Sequence, residues 1–288
     1  MGVTTLIWDH NRVALWRAGR QGCVILAEGV ASSIDAVVDF LELHADATSI
    51  TRLRIYVDLP ELDHNLERIP RIGSKLQKQL LEQRSKKHYG NELRAWSAVS
   101  MLLEGEVAHQ FYFVSSLPQG SVLPLSRWAL AAGVYFEGIY SLPQALSLLP
   151  VEEHTQAGER IDYMALGGAA YLIARNADGR MLFFSRLEDR NCDRAQLEQS
   201  VRRLALFTEQ EFGVIPHLRV APDAEEAREE ASIMAELCLL KLQPSLNLLP
   251  DSERLRQLYL RLRHRAFLLG IVALSASVLL ALPLIEQK

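Results

Sequence analysis

Cysteine is scarce in this chain: Cys23, Cys192 and Cys238 stand far apart among 288 residues, and no two share a CxxC spacing. That pattern suggests neither a disulfide framework nor a zinc site local in sequence, and it leads us to expect reduced cytoplasmic thiols. The eight histidines (His10, His44, His64, His88, His109, His154, His217 and His264) form no HExxH and no close pair, so any metal site would have to be assembled by the fold. Neither a GxSxG elbow nor a GxxxxGKS/T loop occurs, which removes two local signatures of hydrolase and nucleotide chemistry. An excess of one charge is also missing: 31 basic residues face 35 acidic ones, a net charge of −4, so no overall field selects nucleic acid or an acidic substrate. The amino terminus, MGVTTLIWDHNR, has no basic region leading into an apolar run and does not read as a signal peptide. Leu6 stands where a myristoylation signal needs Ser or Thr.

Long uncharged runs are rare too, and the one from Ala266 to Ile285, AFLLGIVALSASVLLALPLI, therefore stands out. A helix needs about 20 mostly apolar residues to cross a hydrocarbon core of about 30 Å, so 266–285 is expected to be a transmembrane helix, with Pro283 in its last turn. Arg254, Arg256, Arg261, Arg263 and Arg265 precede it while only Glu286 and Lys288 follow as charges, which places the amino-terminal part in the cytoplasm by the excess of positive charge on that side. Arg261, Arg263 and Arg265 are the expected membrane-anchoring residues. Before them, Leu255, Leu258, Tyr259 and Leu262 form an i, i+3, i+4, i+7 stripe on a basic helix from Asp251 to Arg265, suited either to lie against a membrane or to pair with another helix.

The remainder is long enough for one large or two small domains. Three strands are expected from Thr4 to Trp8, Val13 to Ala18 and Cys23 to Glu28, separated by the turn residues Asp9-His10-Asn11 and Gly19 to Gly22. Ser32 or Ser33 then caps a helix with an Ile34, Val37, Val38, Phe40, Leu41 stripe, and Leu53 to Val57 returns as a strand. LPELDHNLERIP reads as a Pro-bounded loop, followed by a cationic helix from Leu76 to Lys87 and strands from Leu93 to Leu103 and Val107 to Ser115. That helix, with Lys75, Lys78, Arg84, Lys86 and Lys87, is either a solvated face or a dock for an acidic partner. A helix from Leu123 to Ala132, a strand from Val134 to Tyr140 and a short helix in LPQALSLLP complete the first half, and the polar stretch VEEHTQAGER marks a boundary. The second half starts with a hairpin, Tyr171 to Arg175 and Met181 to Arg186, around Asp178-Gly179. An Asp193-capped helix ending at Gly213, a strand from Val214 to Val220 and a helix from Asp223 to Leu240 follow. Two halves that each begin with a meander and then alternate helix and strand point to a duplicated α/β fold.

That order, with a carboxy-terminal tether, resembles the actin-like (ribonuclease H-like) cytoplasmic domains of the type II secretion L protein and type IV pilus M protein family. The resemblance is carried by Leu59-Pro60, Ile69-Pro70, Ser126-Arg127-Trp128 leading to Ala131-Ala132-Gly133-Val134, Leu142-Pro143 to Leu149-Pro150, Phe183 to Arg186, and Asn247-Leu248-Leu249-Pro250 before the membrane helix. Actin-like ATPases place an Asp-x-Gly turn after their first strand, where a glycine backbone can approach phosphate. Here that turn reads Asp9-His10-Asn11, and Asp9 reads more simply as a turn residue. The second phosphate turn falls near Ala165-Leu166-Gly167-Gly168 without an acidic neighbour, Asp162 lying too early, and Ala221-Pro222-Asp223 replaces the adenosine-binding glycines. The resemblance thus implies a degenerate nucleotide site, no catalysis and no cofactor.

The expected divisions are residues 1–150 and 151–244 as two actin-like subdomains, 245–265 as linker and basic helix, and 266–285 as span. By resemblance the chain is an adaptor of an inner-membrane assembly platform, binding a cytoplasmic secretion or pilus assembly ATPase and small bitopic inner-membrane proteins, with a homodimer left open and no nucleic-acid partner. Asn247, Leu248, Leu249 and Pro250, expected to dock into or lead off the soluble domain, are the first candidate partner-binding residues, and the stripe of Leu255, Leu258, Tyr259 and Leu262 is the second. A membrane-anchored ATP-binding protein using Asp9, Gly167 and Gly168 is the competing expectation, and a tethered regulatory module is a third.

Overall fold

The computed structural model describes residues 3–19, 22–90, 92–104, 107–149, 158–188, 193–213, 230–250 and 252–259, with single positions at 262, 266 and 270. The first half runs β1 (Thr4–Asp9), β2 (Arg12–Gly19), β3 (Gly22–Val30), α1 (Ile34–Thr48), β4 (Arg52–Asp58), β5 (Asp63–Pro70), α2 (Ser74–Tyr89), β6 (Leu93–Glu104), β7 (Val107–Leu117), α3 (Leu123–Ala131), β8 (Tyr135–Ser141) and α4 (Leu142–Ser147). The second contains β9 (Arg160–Leu166), β10 (Ala169–Arg175), β11 (Met181–Leu187), α5 (Arg194–Phe212) and α6 (Glu230–Leu239).

The first sheet has the order β3-β2-β1-β4-β8. The β1–β3 meander is antiparallel, while β4 pairs parallel with β1 and β8 parallel with β4. The central strands β1, β2 and β4 are apolar on both faces because both are covered, whereas the edge strand β3 is largely exposed. Leu6, Trp8, Val13, Leu15, Leu53, Ile55 and Val57 enter one core with Val37 and Leu41 of α1 and Leu125 and Trp128 of α3. Ile7, Ala14, Trp16 and Tyr56, the alternate residues, enter a second core made with β9–β11 and α4–α6. The two halves are stitched as well as packed: the Tyr56 hydroxyl donates to the Leu237 carbonyl at 2.8 Å and Arg54 Nη1 to the Leu240 carbonyl at 2.8 Å, both at the carboxy-terminal end of α6 where a helix presents free carbonyls.

Several boundaries follow the expected local chemistry. Ser33 Oγ accepts from the Ala36 amide at 3.3 Å at the start of α1, and Asp193 Oδ1 accepts from the Gln196 amide at 2.7 Å at the start of α5. Gly213, at φ 66, closes α5 in the left-handed conformation.

Two expectations are corrected. The Pro-bounded stretch at 59–70 is not a loop throughout, because Asp63–Pro70 forms β5, an edge strand of a separate sheet ordered β5-β7-β6 inserted between β4 and α3. Its polar composition hid it. The strand is held by its ladder to β7, and Pro70, which has no amide to give, sits at its end opposite His109. The second meander also begins earlier than expected, with β9 over 160–166, where Asp162 is held by Arg160 at 3.0 Å and Arg175 at 2.5 Å. The strand expected at 214–220 and the first part of the helix expected from Asp223 lie outside the described residues, and α6 falls within the rest of that expected helix. Among the described residues no helix is long and apolar enough to cross a membrane. The run 266–285 lies outside them apart from Ala266 and Gly270.

Candidate functional site

Parallel pairing of β1 with β4 sets Asp9 directly beside Asp58 at the carboxy-terminal ends of the two strands, the edge at which α/β sheets meet their ligands. Both carboxylates are buried, at 8% and 5% exposure. Two adjacent buried carboxylates need a counter-charge, and β11 supplies the cation. Arg186 Nη2 lies 2.8 Å from Asp9 Oδ1 and its Nε 2.8 Å from Asp58 Oδ2. The latter is an electrostatic contact rather than a hydrogen bond. The Tyr171 hydroxyl donates to Asp58 Oδ2 at 2.6 Å.

His10, at φ 46 in the β1–β2 turn, completes the cluster. Its Nε2 is 2.8 Å from Arg186 Nη1, which can only donate, so Nε2 accepts and the proton lies on Nδ1, 3.1 Å from the Asp58 carbonyl. Burial raises the Asp58 carboxyl above the usual range, against the pull of Tyr171 and Arg186. Burial also raises Tyr171, and the neighbouring carboxylates add to it. Arg186 loses solvation, but Asp58 and Asp9 outweigh that loss and hold its guanidinium above its ordinary value.

Asp9, His10 and Asp58 each offer a ligand atom, all within 4.8 Å of one another, and such a set would suit a divalent cation. The charge such a cation would bring is already supplied by Arg186, reaching across from the other half of the molecule. Asp9 is therefore more than the simple turn residue expected from sequence.

The second glycine turn is occupied in a comparable way. Gly167, at φ 64, joins β9 to β10, and its amide donates to Glu230 Oε1 at 3.3 Å. Glu230 in turn lies 3.4 Å from Arg12 Nη1, and Arg12 also pairs with Glu28. A Cβ on Gly167 would come within 2.6 Å of Arg12 Nη1, so the guanidinium lies against the glycine backbone. The amide that would face a phosphate thus faces a carboxylate. The space left among Asp9, Arg12, Trp16, Leu142, Gly167 and Glu230 is about 10 Å³, room for about one water, whereas small-molecule sites run to roughly 300–1,000 Å³. Gly168 has open space about it and takes no part. Asp162 is spent on Arg160 and Arg175.

The carboxy-terminal segment Asn247 to Pro250, expected to dock into or lead off the soluble domain, is held internally against β8. Asn247 Oδ1 accepts from the amides of Ile139 and Leu249, each at 3.1 Å, its Nδ2 donates to the Glu137 carbonyl at 3.2 Å, and the Leu248 amide donates to the Ile139 carbonyl at 2.8 Å. Leu248 and Leu249 are buried in the core of the first half. The close approach depends on Gly138 in β8, at φ 154, where a Cβ would stand 2.2 Å from Asn247 Nδ2. Pro250 is half-buried at the exit. Beyond it the helix at 252–259 rests on α3: Ser126 Oγ donates to Glu253 Oε2 at 3.2 Å, and Gln257 is buried. Leu255, Leu258, Tyr259 and Leu262 are exposed. Arg261, Arg263 and Arg265 lie outside the described residues.

The cationic helix α2 presents Lys75, Lys78, Lys86 and Lys87 to solvent and packs Leu81 inward on the inserted sheet, with Ile69 and Val114. Sequence reasoning missed Asp58, Tyr171, Arg186, Arg12, Glu230 and Gly138. Only Asp58 had a usable signal, since a strand pairing parallel with β1 must end beside Asp9. Cys23 and Cys238, distant in sequence, come together with their sulfurs 3.4 Å apart.

No known family profile matches the sequence, and no curated protein matches it. Among solved structures, the chain is similar to a PilM–PilN type IV pilus biogenesis complex, with 11% identity, 73% of this chain and 71% of that chain covered, and a TM-score of 0.49. It is similar to the cytoplasmic domain of EpsL, an inner-membrane component of the type II secretion system of Vibrio cholerae, with 14% identity, 88% and 100% coverage and a TM-score of 0.47. A Bacteroides thetaiotaomicron protein of actin-like ATPase fold and unknown function matches at 13% identity, 83% and 96% coverage and a TM-score of 0.49.

Proposed function

We propose that this chain is a non-catalytic adaptor of an inner-membrane assembly platform of the type II secretion or type IV pilus kind. In this reading residues 266–285 cross the bacterial inner membrane, the actin-like body stays in the cytoplasm, and the protein links a cytoplasmic assembly ATPase to small bitopic platform proteins. The observation that carries the non-catalytic part is the closed cleft. Arg186 lies between Asp9 and Asp58, Glu230 caps the Gly167 amide, and about 10 Å³ remains. A nucleotide would have to displace two ion-paired clusters before it could enter.

The docked Asn247–Leu249 segment supports the linking part. It fastens the helix leading toward the span to β8 through hydrogen bonds and two buried leucines, so a load on the membrane segment is passed to the sheet rather than to a slack linker. The test is affinity capture from native membranes with the full chain as bait, with and without ATP, read by mass spectrometry. Recovery of a hexameric assembly ATPase and bitopic proteins regardless of nucleotide is expected. Recovery of neither would overturn the assignment.

A second reading, a membrane-anchored ATP-binding protein, is favoured by one observation, the cation-compatible set Asp9, His10 and Asp58. Thermal unfolding with Mg·ATP separates the two. A ligand at about 100 times its dissociation constant stabilises by about 2.7 kcal/mol, and no shift is expected here.

A further inference from the structure

The helix at 252–259 has two unlike faces. One turn apart, Glu253 and Gln257 face α3, where Ser126 Oγ donates to Glu253 Oε2 at 3.2 Å and Gln257 Nε2 donates to the Ser126 carbonyl at 3.5 Å. The other face carries Leu255, Leu258 and Tyr259, continued by Leu262, at 65%, 46%, 66% and 55% exposure. Four large side chains left open on one short stretch require a cover, since contiguous exposed apolar surface marks an interaction site.

Charge decides among the covers. Arg254 and Arg256 lie on this helix, and Arg261, Arg263 and Arg265 follow in sequence, while Glu253, which accepts from Ser126 and stands 3.9 Å from Arg256, is the single carboxylate in 252–265 to set against these five guanidinium groups. A second copy packed in parallel would set these arginines against their own counterparts. A bilayer with anionic headgroups offers both an apolar boundary for the stripe and phosphates for the guanidinium groups.

We infer that the helix beginning at residue 252 is an interfacial helix, with Leu255, Leu258, Tyr259 and Leu262 entering the headgroup–acyl boundary of an anionic membrane and the arginines at phosphate level. The inference uses the proposed span only to bring the bilayer close. If the helix ran unbroken to Ala266 at a rise of 1.5 Å per residue, Leu262 would lie about 6 Å and Leu255 about 16 Å along the axis before it. The headgroup layer is only about 5–7 Å thick. An upright helix would leave Leu255 in water, so contact by the whole stripe requires the helix to lean toward the membrane plane. Because Glu253 and Gln257 bind its opposite face to α3, the lean also turns the α3 side of the body toward the membrane.

The test uses the full chain in vesicles of phosphatidylethanolamine and phosphatidylglycerol made with brominated acyl chains, comparing Tyr259→Trp and Leu262→Trp with the parent. Extra fluorescence quenched by bromine is expected in both variants, stronger than in phosphatidylcholine vesicles. Replacing Arg256 or Arg263 by Gln is expected to lower the ratio of inserted to free helix about fivefold each. Unquenched tryptophans at both positions would overturn the inference, whether the stripe is then covered by another helix or by water. Alkaline carbonate extraction of the same vesicles reports on the span separately. Quenching in an extractable protein would uphold the interfacial helix and sink the span, and an inextractable protein without quenching would do the reverse.

Discussion

Arg186→Met is the sharpest perturbation of the closed cleft. The side chain keeps much of its length and loses its charge, leaving Asp9 and Asp58, at 8% and 5% exposure, side by side without a cation. Removing one partner of a buried ion pair costs about 3–5 kcal/mol, which at roughly 2–4 °C per kcal/mol for a chain of this size lowers Tm by about 6–20 °C. The loss should depend on pH in a definite sense. Asp58 already holds its proton more tightly in the folded protein than an ordinary aspartate does near 3.8, so its stabilising contribution is present below that value and is lost as pH rises through the folded value. Without Arg186 the folded value rises further, and the Tm deficit of the variant should therefore grow from acidic toward neutral pH. Asp58→Asn in the Arg186→Met background should recover part of it. Calorimetry of wild type, both single variants and the double variant across pH measures all of this. A variant as stable as wild type at neutral pH would refute the view that Arg186 holds the halves closed.

Asn247→Ala should cost about 1–3 kcal/mol, because the Ile139 amide loses its buried acceptor, and denaturant titration checks it. Gly138→Ala should cost a similar amount through strain at φ 154 and collision with Asn247, with faster proteolysis between 244 and 250 as the local readout. His64, buried against Phe113 and Phe184, has its pKa pushed down to about 3 by desolvation. Its contribution is complete above the unfolded value near 6.5 and is lost as pH falls from there toward 3, so His64→Phe should flatten the acid limb of the stability curve measured by circular dichroism. Diamide should link Cys23 to Cys238 in an intramolecular disulfide detectable by non-reducing peptide mapping. The reaction should be slow, because burial and Cys238 push the Cys23 thiol up to about 12. Absence of the link after prolonged treatment would contradict the observed pairing.

The parts legible in sequence were those written in local chemistry. The first meander, the α1 and α5 caps and the helix-ending Gly213 each depend on residues within a few positions of one another. β5 and β9 were hidden because their side chains are chosen by long-range partners: Glu67 is buried on an inserted sheet, and Arg160 with Asp162 serves Arg175 on the neighbouring strand. The Asp9-His10-Asn11 turn showed that an Asp-x-Gly phosphate turn was missing. What replaced it, Arg186 from 177 positions away, had no local signature. Asn247 gave the opposite outcome, since its segment was recognisable but its role depends on a glycine 109 positions earlier, between strand neighbours 137 and 139, that leaves room for its amide.

Under the adaptor role proposed above, the two ion clusters would let the body serve as a passive link. If closure of two such halves were driven by a nucleotide, it would depend on a ligand bringing phosphate and cation to the two facing turns. Here each turn has an internal substitute: the Arg186 guanidinium for the cation at Asp9 and Asp58, and the Glu230 carboxylate for the anion at Gly167. Both substitutes come from the second half and bind the first half or the turn facing it, with Arg12 reaching back to Glu230. Closure is then a property of the chain itself, set by two ion clusters, the Tyr56 and Arg54 bonds to the end of α6 and a shared apolar core. A body closed in this way keeps a fixed distance between the docked Asn247 segment and whatever surface meets a cytoplasmic partner. The proposed transmission of a load would need that constancy, and a cleft that opened with each nucleotide cycle would remove it.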